Sequence, residues 1–205
     1  LDPRVRFSIV VARRAHFTRF QALLAEWKVR RPERFGAVVV GRDITTWSRD
    51  RYTLLARPDE RVLLVRPEPH RAIPARQNDW YAPFALARAL GPGTRVRIAP
   101  LHFDGGDLTA TKRYVFATGL LGSRNVGRPL GETAALRRYL ARTTGLTPVM
   151  IGATAEDVPP HHVGMFLTPL GGKDVLVGDP AAGLALLPAT AQLPLPVERR
   201  LAFLA

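Results

Sequence analysis

The sequence predicts an α/β domain built from a repeated unit of strands and one helix. Three observations lead there. Apolar residues recur at helical spacing in three stretches, residues 17–29, 79–90 and 132–143, about 55–60 residues apart, a period that signals repeated supersecondary units. Short β-branched or apolar runs lie between those stretches, and Gly and Pro clusters punctuate them. A chain of 205 residues is also of a size to form one domain with a sizeable core, so a single domain over residues 1–205 is expected.

Taken in order, residues 5–11 read as a strand, and residues 17–29 as a helix with Phe20, Leu23, Leu24 and Trp27 on one side. Pro32 and Gly36 mark a break before the buried strand 37–40. Residues 52–56 and 61–65 read as a strand pair across Pro58, Asp59 and Glu60. The helix 79–90 carries Trp80, Phe84, Leu86 and Leu90 as its apolar side, with Asn78 or Asp79 as N-cap and Gly91-Pro92-Gly93 as its stop. Strand 95–99 follows, then strand 114–118. The helix 132–143 turns Leu136, Tyr139 and Leu140 inward and ends at Gly145, before strand 147–151. Residues 165–170 and 174–178 read as a hairpin across Gly171, Gly172 and Lys173, and the Ala-, Leu- and Pro-rich tail 181–205 has no assigned element.

Composition is that of a globular protein, with 46% hydrophobic and 23% charged residues. No apolar run approaches the ~20 residues needed to span a bilayer, so no membrane partner is expected. The net charge of +13 allows weak polyanion binding and a basic nucleic-acid-binding role. Yet the excess is nearly all Arg, scattered as pairs such as Arg13-Arg14 and Arg137-Arg138, without the clustered run of a nucleic-acid patch. Zero cysteines exclude disulfides and a thiol nucleophile within these residues and leave the redox compartment open. The chain begins at Leu1 with no signal-like apolar segment, so the N-terminus is expected to be processed and a cytoplasmic setting is favoured.

Three stretches carry candidate chemistry: Trp47-Ser48-Arg49-Asp50, Phe103-Asp104-Gly105-Gly106-Asp107, and His161-His162-Val163-Gly164. In the second, two carboxylates flank a Gly-Gly pair that lets the backbone turn tightly and approach a small cation. The same residues also fit a plain strand-turn-strand corner whose Asp side chains accept from local N–H groups. Together the three resemble the guanidino-group-modifying superfamily, the pentein or α/β-propeller fold. Its members include agmatine, arginine and peptidyl-arginine deiminases, dimethylarginine hydrolases and amidinotransferases. The family pattern runs Trp-x-x-Asp, an acidic residue before Gly-Gly, His-x-Asp, and a Cys nucleophile near the C-terminus. Here the first two are present in order, Gly164 replaces the Asp of the third, and there is no Cys. The resemblance covers roughly residues 5–180.

The resemblance implies an α/β-propeller of ββαβ units, incomplete at the C-terminus where the family keeps its nucleophile. It implies a guanidino substrate clamped by Asp50 and Asp104, since a planar guanidinium with five N–H donors is best held by carboxylates. It makes His162 the acid/base and places Trp47, Asp107 and Asn125 beside the substrate. The absent Asp at position 164 raises the question of whether Asp157 or Asp107 orients the imidazole. No cofactor and no metal are expected: His161, His162 and Asp157 lack a third ligand at a recognised spacing, and residues 119–127 lack the ending of a phosphate loop. The rival to a deiminase- or amidinotransferase-like enzyme is a non-catalytic binding module of the same fold, like the ribosome anti-association factors.

Overall fold

A computed structural model describes residues 4–56, 62–69, 74–154, 156–158, 161–171 and 173–186. Among them lie ten strands in four small sheets. Strands β1 (Phe7–Val11) and β2 (Phe35–Val39) pair in parallel, joined by helix α1 (Arg14–Glu26). Strand β3 (Thr53–Ala56) pairs antiparallel with β4 (Val62–Arg66), which pairs in parallel with β5 (Thr94–Ile98) after helix α2 (Ala82–Leu90). The pattern recurs in β6 (Thr109–Ala110), β7 (Tyr114–Thr118) and β8 (Thr147–Ile151), with α3 (Gly119–Ser123) and α4 (Thr133–Thr144) in the crossover. The hairpin β9 (Leu167–Gly171) and β10 (Asp174–Val177) leads into α5 (Pro180–Ala185).

The repeat is therefore an antiparallel pair, a helix and a parallel third strand. Two sheets show it whole; the β1–β2 sheet shows its parallel half and the β9–β10 sheet its antiparallel half. The described strands form four separate sheets, none of them closed on itself.

The central strands explain the packing. In β4, Leu63 and Val65 enter one core with Val115, Ala117, Leu136 and Leu140, while Leu64 faces the other way into a second with Val38, Tyr52, Ala85 and Leu86. Strand β7 repeats this: Val115 and Ala117 face the first core, and Phe116 faces a third with Val163 and Leu167. A strand covered on both faces reads as a continuous apolar run because side chains alternate with period two. That is the text of Val62-Leu63-Leu64-Val65.

Several expectations shift. Helix α1 begins three residues earlier than expected, so Phe17 and Leu24 are its buried residues, whereas Leu23 and Trp27 are exposed, Trp27 at 64%. The second helical stretch is a 3-10 turn (Pro74–Tyr81) followed by α2, and Phe84 and Leu90 face solvent. Asp79 is not a helix cap; it sits fully buried inside that turn. Leu136 and Leu140 are buried as expected, and Gly145 ends α4 with φ of 73°, the left-handed conformation Gly adopts at little cost. The loop centred on Pro58 and most of the tail, from residue 187, lie outside the described residues. Among those described, no helix is long and apolar enough to cross a membrane.

Candidate functional site

Each of the last three sheets is entered through a 3-10 turn. Ser48–Arg51 precedes β3, Gly105–Asp107 precedes β6, and Val163–Met165 precedes β9. The first turn touches the second and the second touches the third. The repeat thus brings Asp50, Asp104, Asp107 and His162 together from three distant parts of the sequence.

The middle turn is built by its own carboxylates. The Asp104 N–H donates to Asp107 Oδ2 at 2.8 Å, and the Asp104 side chain accepts in return from the Asp107 N–H, a reciprocal capping box. Gly106 is needed for what lies above it. A Cβ there would meet His162 Cγ at 2.8 Å, so the imidazole packs directly on the glycine backbone. Gly164, by contrast, has room: the nearest atom to an added Cβ is 3.7 Å away.

His162 Nδ1 lies 2.8 Å from Asp107 Oδ1. Asp107 is buried, and of the two carboxylates considered for orienting the imidazole it is the one beside it. The hydrogen bond to Asp107 chiefly holds the His162 pKa above its ordinary 6.5, with the charges of Asp107, Asp104 and Asp50 adding to it and partial burial opposing it. Asp157 serves elsewhere, accepting from the N–H groups of Ala153 and Thr154.

Neither Asp50 nor Asp104 stands alone. Arg51 Nη1 donates to Asp104 Oδ1 at 3.1 Å, and Arg124 Nη1 lies 3.3 Å from Asp104 Oδ2 while also bonding Asp107 Oδ2. Arg51 is 1% exposed and stacks over Trp80 at 4.6 Å. Burial first, and then the charge of Arg76, pull its pKa below the usual value, with Asp104, Asp79 and Asp50 opposing. Asp50 pairs with Arg76 Nη2 at 2.9 Å, and Arg76 Nε lies 3.6 Å from Asp79. Asp79 also accepts from the N–H and hydroxyl of Thr45 at 2.7 and 2.6 Å. The site is a chain of alternating charge from Asp79 to His162.

Trp47 is 61% exposed at the rim, with Arg76 donating to its carbonyl oxygen and lying 5.9 Å from its ring. Asn125, expected to border the substrate, is fully buried. Its amide donates to the carbonyls of His102 and Leu121 and accepts from the His102 N–H, all at 2.8 Å, so it pins loops together behind the site. His161 is exposed. Arg51, Arg76 and Arg124 were not singled out from the sequence, and Asp79 was read there only as a candidate helix cap. The only signal was adjacency, since Arg51 follows Asp50 and Arg124 precedes Asn125.

Ligand atoms of Asp104, Asp107 and His162 lie within 4.8 Å of one another. Arg124 already lies on the Oδ2 atoms of both carboxylates.

No family model matches the sequence, and no curated protein matches it. Solved structures do match the fold. A Porphyromonas gingivalis protein assigned as an arginine deiminase aligns over 86% of this chain and 53% of its own, at TM-score 0.57 and 16% identity. A C. jejuni agmatine deiminase variant with substrate bound aligns over 97% of this chain and 56% of its own, at TM-score 0.58 and 10% identity. The chain shares the fold of these deiminases. It spans about half the length of those structures. A third, assigned as an agmatine deiminase, aligns over 72% of this chain at TM-score 0.54 and 14% identity. All three similarities hold at the level of backbone architecture, which confirms the mixed α/β, deiminase-like organisation expected from the motifs.

Proposed function

We propose that this chain is a guanidino-modifying type of domain whose site at Asp104, Asp107 and His162 recognises a guanidinium group. One observation carries the reading: a guanidinium, that of Arg124, already lies on both carboxylates beside the imidazole. The Oδ2 atoms of both accept from its Nη1, and the two carboxylates carry the charge that a guanidinium needs. Asp107 holds His162 by Nδ1, which leaves Nε2 as the ring atom for proton exchange with a departing amine. Asp50 and Asp104 are the clamp positions by resemblance, with Trp47 at the rim. The substrate class is a guanidino compound of the arginine or agmatine kind.

Covalent chemistry of the deiminase type needs a nucleophile activated toward the guanidinium carbon. The 205 residues contain no cysteine, so this stretch binds the group and orients the acid/base but forms no thiol-linked intermediate from its own residues. That same lack favours one second reading, a non-catalytic binding module on the same fold, because fold alone does not dictate chemistry.

Calorimetry with agmatine and arginine, beside an assay for citrulline and ammonia, tests the proposal. Weak binding that drops roughly tenfold or more in Asp104→Asn, as expected for a lost charged acceptor worth about 1.5–3 kcal/mol, supports guanidinium recognition. Absence of binding by every guanidino compound would leave the non-catalytic module ahead. Product made by this cysteine-free chain would overturn the assigned chemistry.

A further inference from the structure

The two arginines on Asp104 differ in kind. Arg51 is sealed in, stacked on Trp80 with 1% exposure. The Arg124 side chain is one-third exposed. Its backbone is fixed independently of its guanidinium: the Arg124 N–H donates to the Leu120 carbonyl in the first turn of α3, and the next residue is the buried Asn125 with its three amide hydrogen bonds. The Arg124 side chain can therefore leave the carboxylates for solvent without moving the loop that carries it.

We propose that Arg124 is a built-in competitor for this site, a resident guanidinium that an incoming guanidino ligand must displace from Asp104 and Asp107. The inference rests on the guanidinium-site reading. Asp104 Oδ1 is taken by Arg51, Asp107 Oδ1 by His162, and Arg124 lies on the Oδ2 of both, that of Asp107 also accepting from the Asp104 N–H. A second guanidinium cannot approach those two oxygens while Arg124 is there, because it would meet a like charge and find its acceptors occupied. A tethered competitor reduces the apparent affinity by the fraction of molecules in which it is out of the way. The site then responds to ligands that hold the two carboxylates better than Arg124 does, and it stays charge-balanced when empty.

The test compares the full chain with Arg124→Ala and Arg124→Gln, by calorimetry with agmatine and with methylguanidinium, and follows the His162 ring by NMR titration in each protein. The expected result is binding about tenfold tighter or more in both variants, abolished again when Asp104→Asn is added. In the ligand-free variants the His162 pKa should rise further, since a neighbouring cation has gone, and saturating methylguanidinium should bring it back down. Binding in the native chain that is Asp104-dependent but no tighter in either variant overturns the competitor and leaves the guanidinium site standing. No binding in any of the three proteins overturns both.

Discussion

His162 is paired with a neighbour fifty-five positions away in sequence, Asp107. Because Asp107 raises its pKa, the pair stabilises the fold fully below the ordinary value of 6.5, and that contribution fades as pH rises through the raised native value. Asp107→Asn should therefore lower the His162 pKa and flatten stability against pH above 6.5. NMR titration and urea melts at several pH values check this, and an unchanged His162 titration would dissolve the pair. Gly106→Ala tests the packing beneath the ring. Its methyl must push His162 Cγ away from 2.8 Å, so the same titration should move toward 6.5 even though both titrating side chains are retained. Asp79, read from sequence with Asn78 as one of two candidate helix caps, instead holds Thr45 and pairs with Arg76. A buried carboxylate is stable when its acceptors are filled, and here they are.

At the scale of elements, β4 and β7 are each central in a three-stranded sheet and covered on both faces, whereas β1 and β10 belong to two-stranded sheets. Amide hydrogen exchange should accordingly be slowest in β4 and β7 and faster in β1 and β10, since opening energy follows local burial and pairing. Uniform protection across all four strands would contradict that ranking. Leu64, fully buried in β4, gives the matching stability prediction: Leu64→Ala should cost about 2–5 kcal/mol in a denaturant melt. The loop after α3 depends on Asn125. Asn125→Ala strands the His102 N–H and two carbonyls, and each buried group left without a partner costs about 1–3 kcal/mol.

For the whole molecule, the +13 charge and the site have separate consequences. Within the site, the arginines are matched by aspartates, so the excess positive charge acts from elsewhere on the surface. Binding to DNA or RNA should be weak, without sequence preference, and should collapse between low and physiological salt as counterion release dictates. Filter binding at two ionic strengths checks it; tight, sequence-selective binding at physiological salt would establish a nucleic-acid role. The architecture makes the site a property of the assembled repeats. Three equivalent turns, one at the entrance to each successive sheet, supply its residues.

The motif order at Asp50, Asp104 and His162 was legible as a resemblance, and the period of the helices and the strands between them were legible because alternation and spacing are local properties of the chain. The hairpin near residues 165–178 and the inward face of α4 were legible for the same reason. What only the tertiary structure decided is who answers each charge. Adjacency in sequence could not say that Arg51 and Arg124 share Asp104, that Arg76 takes Asp50, that Asp107 rather than Asp157 holds His162, or that Asn125 faces inward. Arg51 and Asp104, like Asp107 and His162, come from different repeats, whereas Arg76 and Asp50, and Arg124 and Asp104, lie 26 and 20 positions apart within one, and an ion pair's energy depends on distances of a few ångströms and on exclusion of water. Both are set when the turns between sheets meet, and neither is a property of any one stretch of residues.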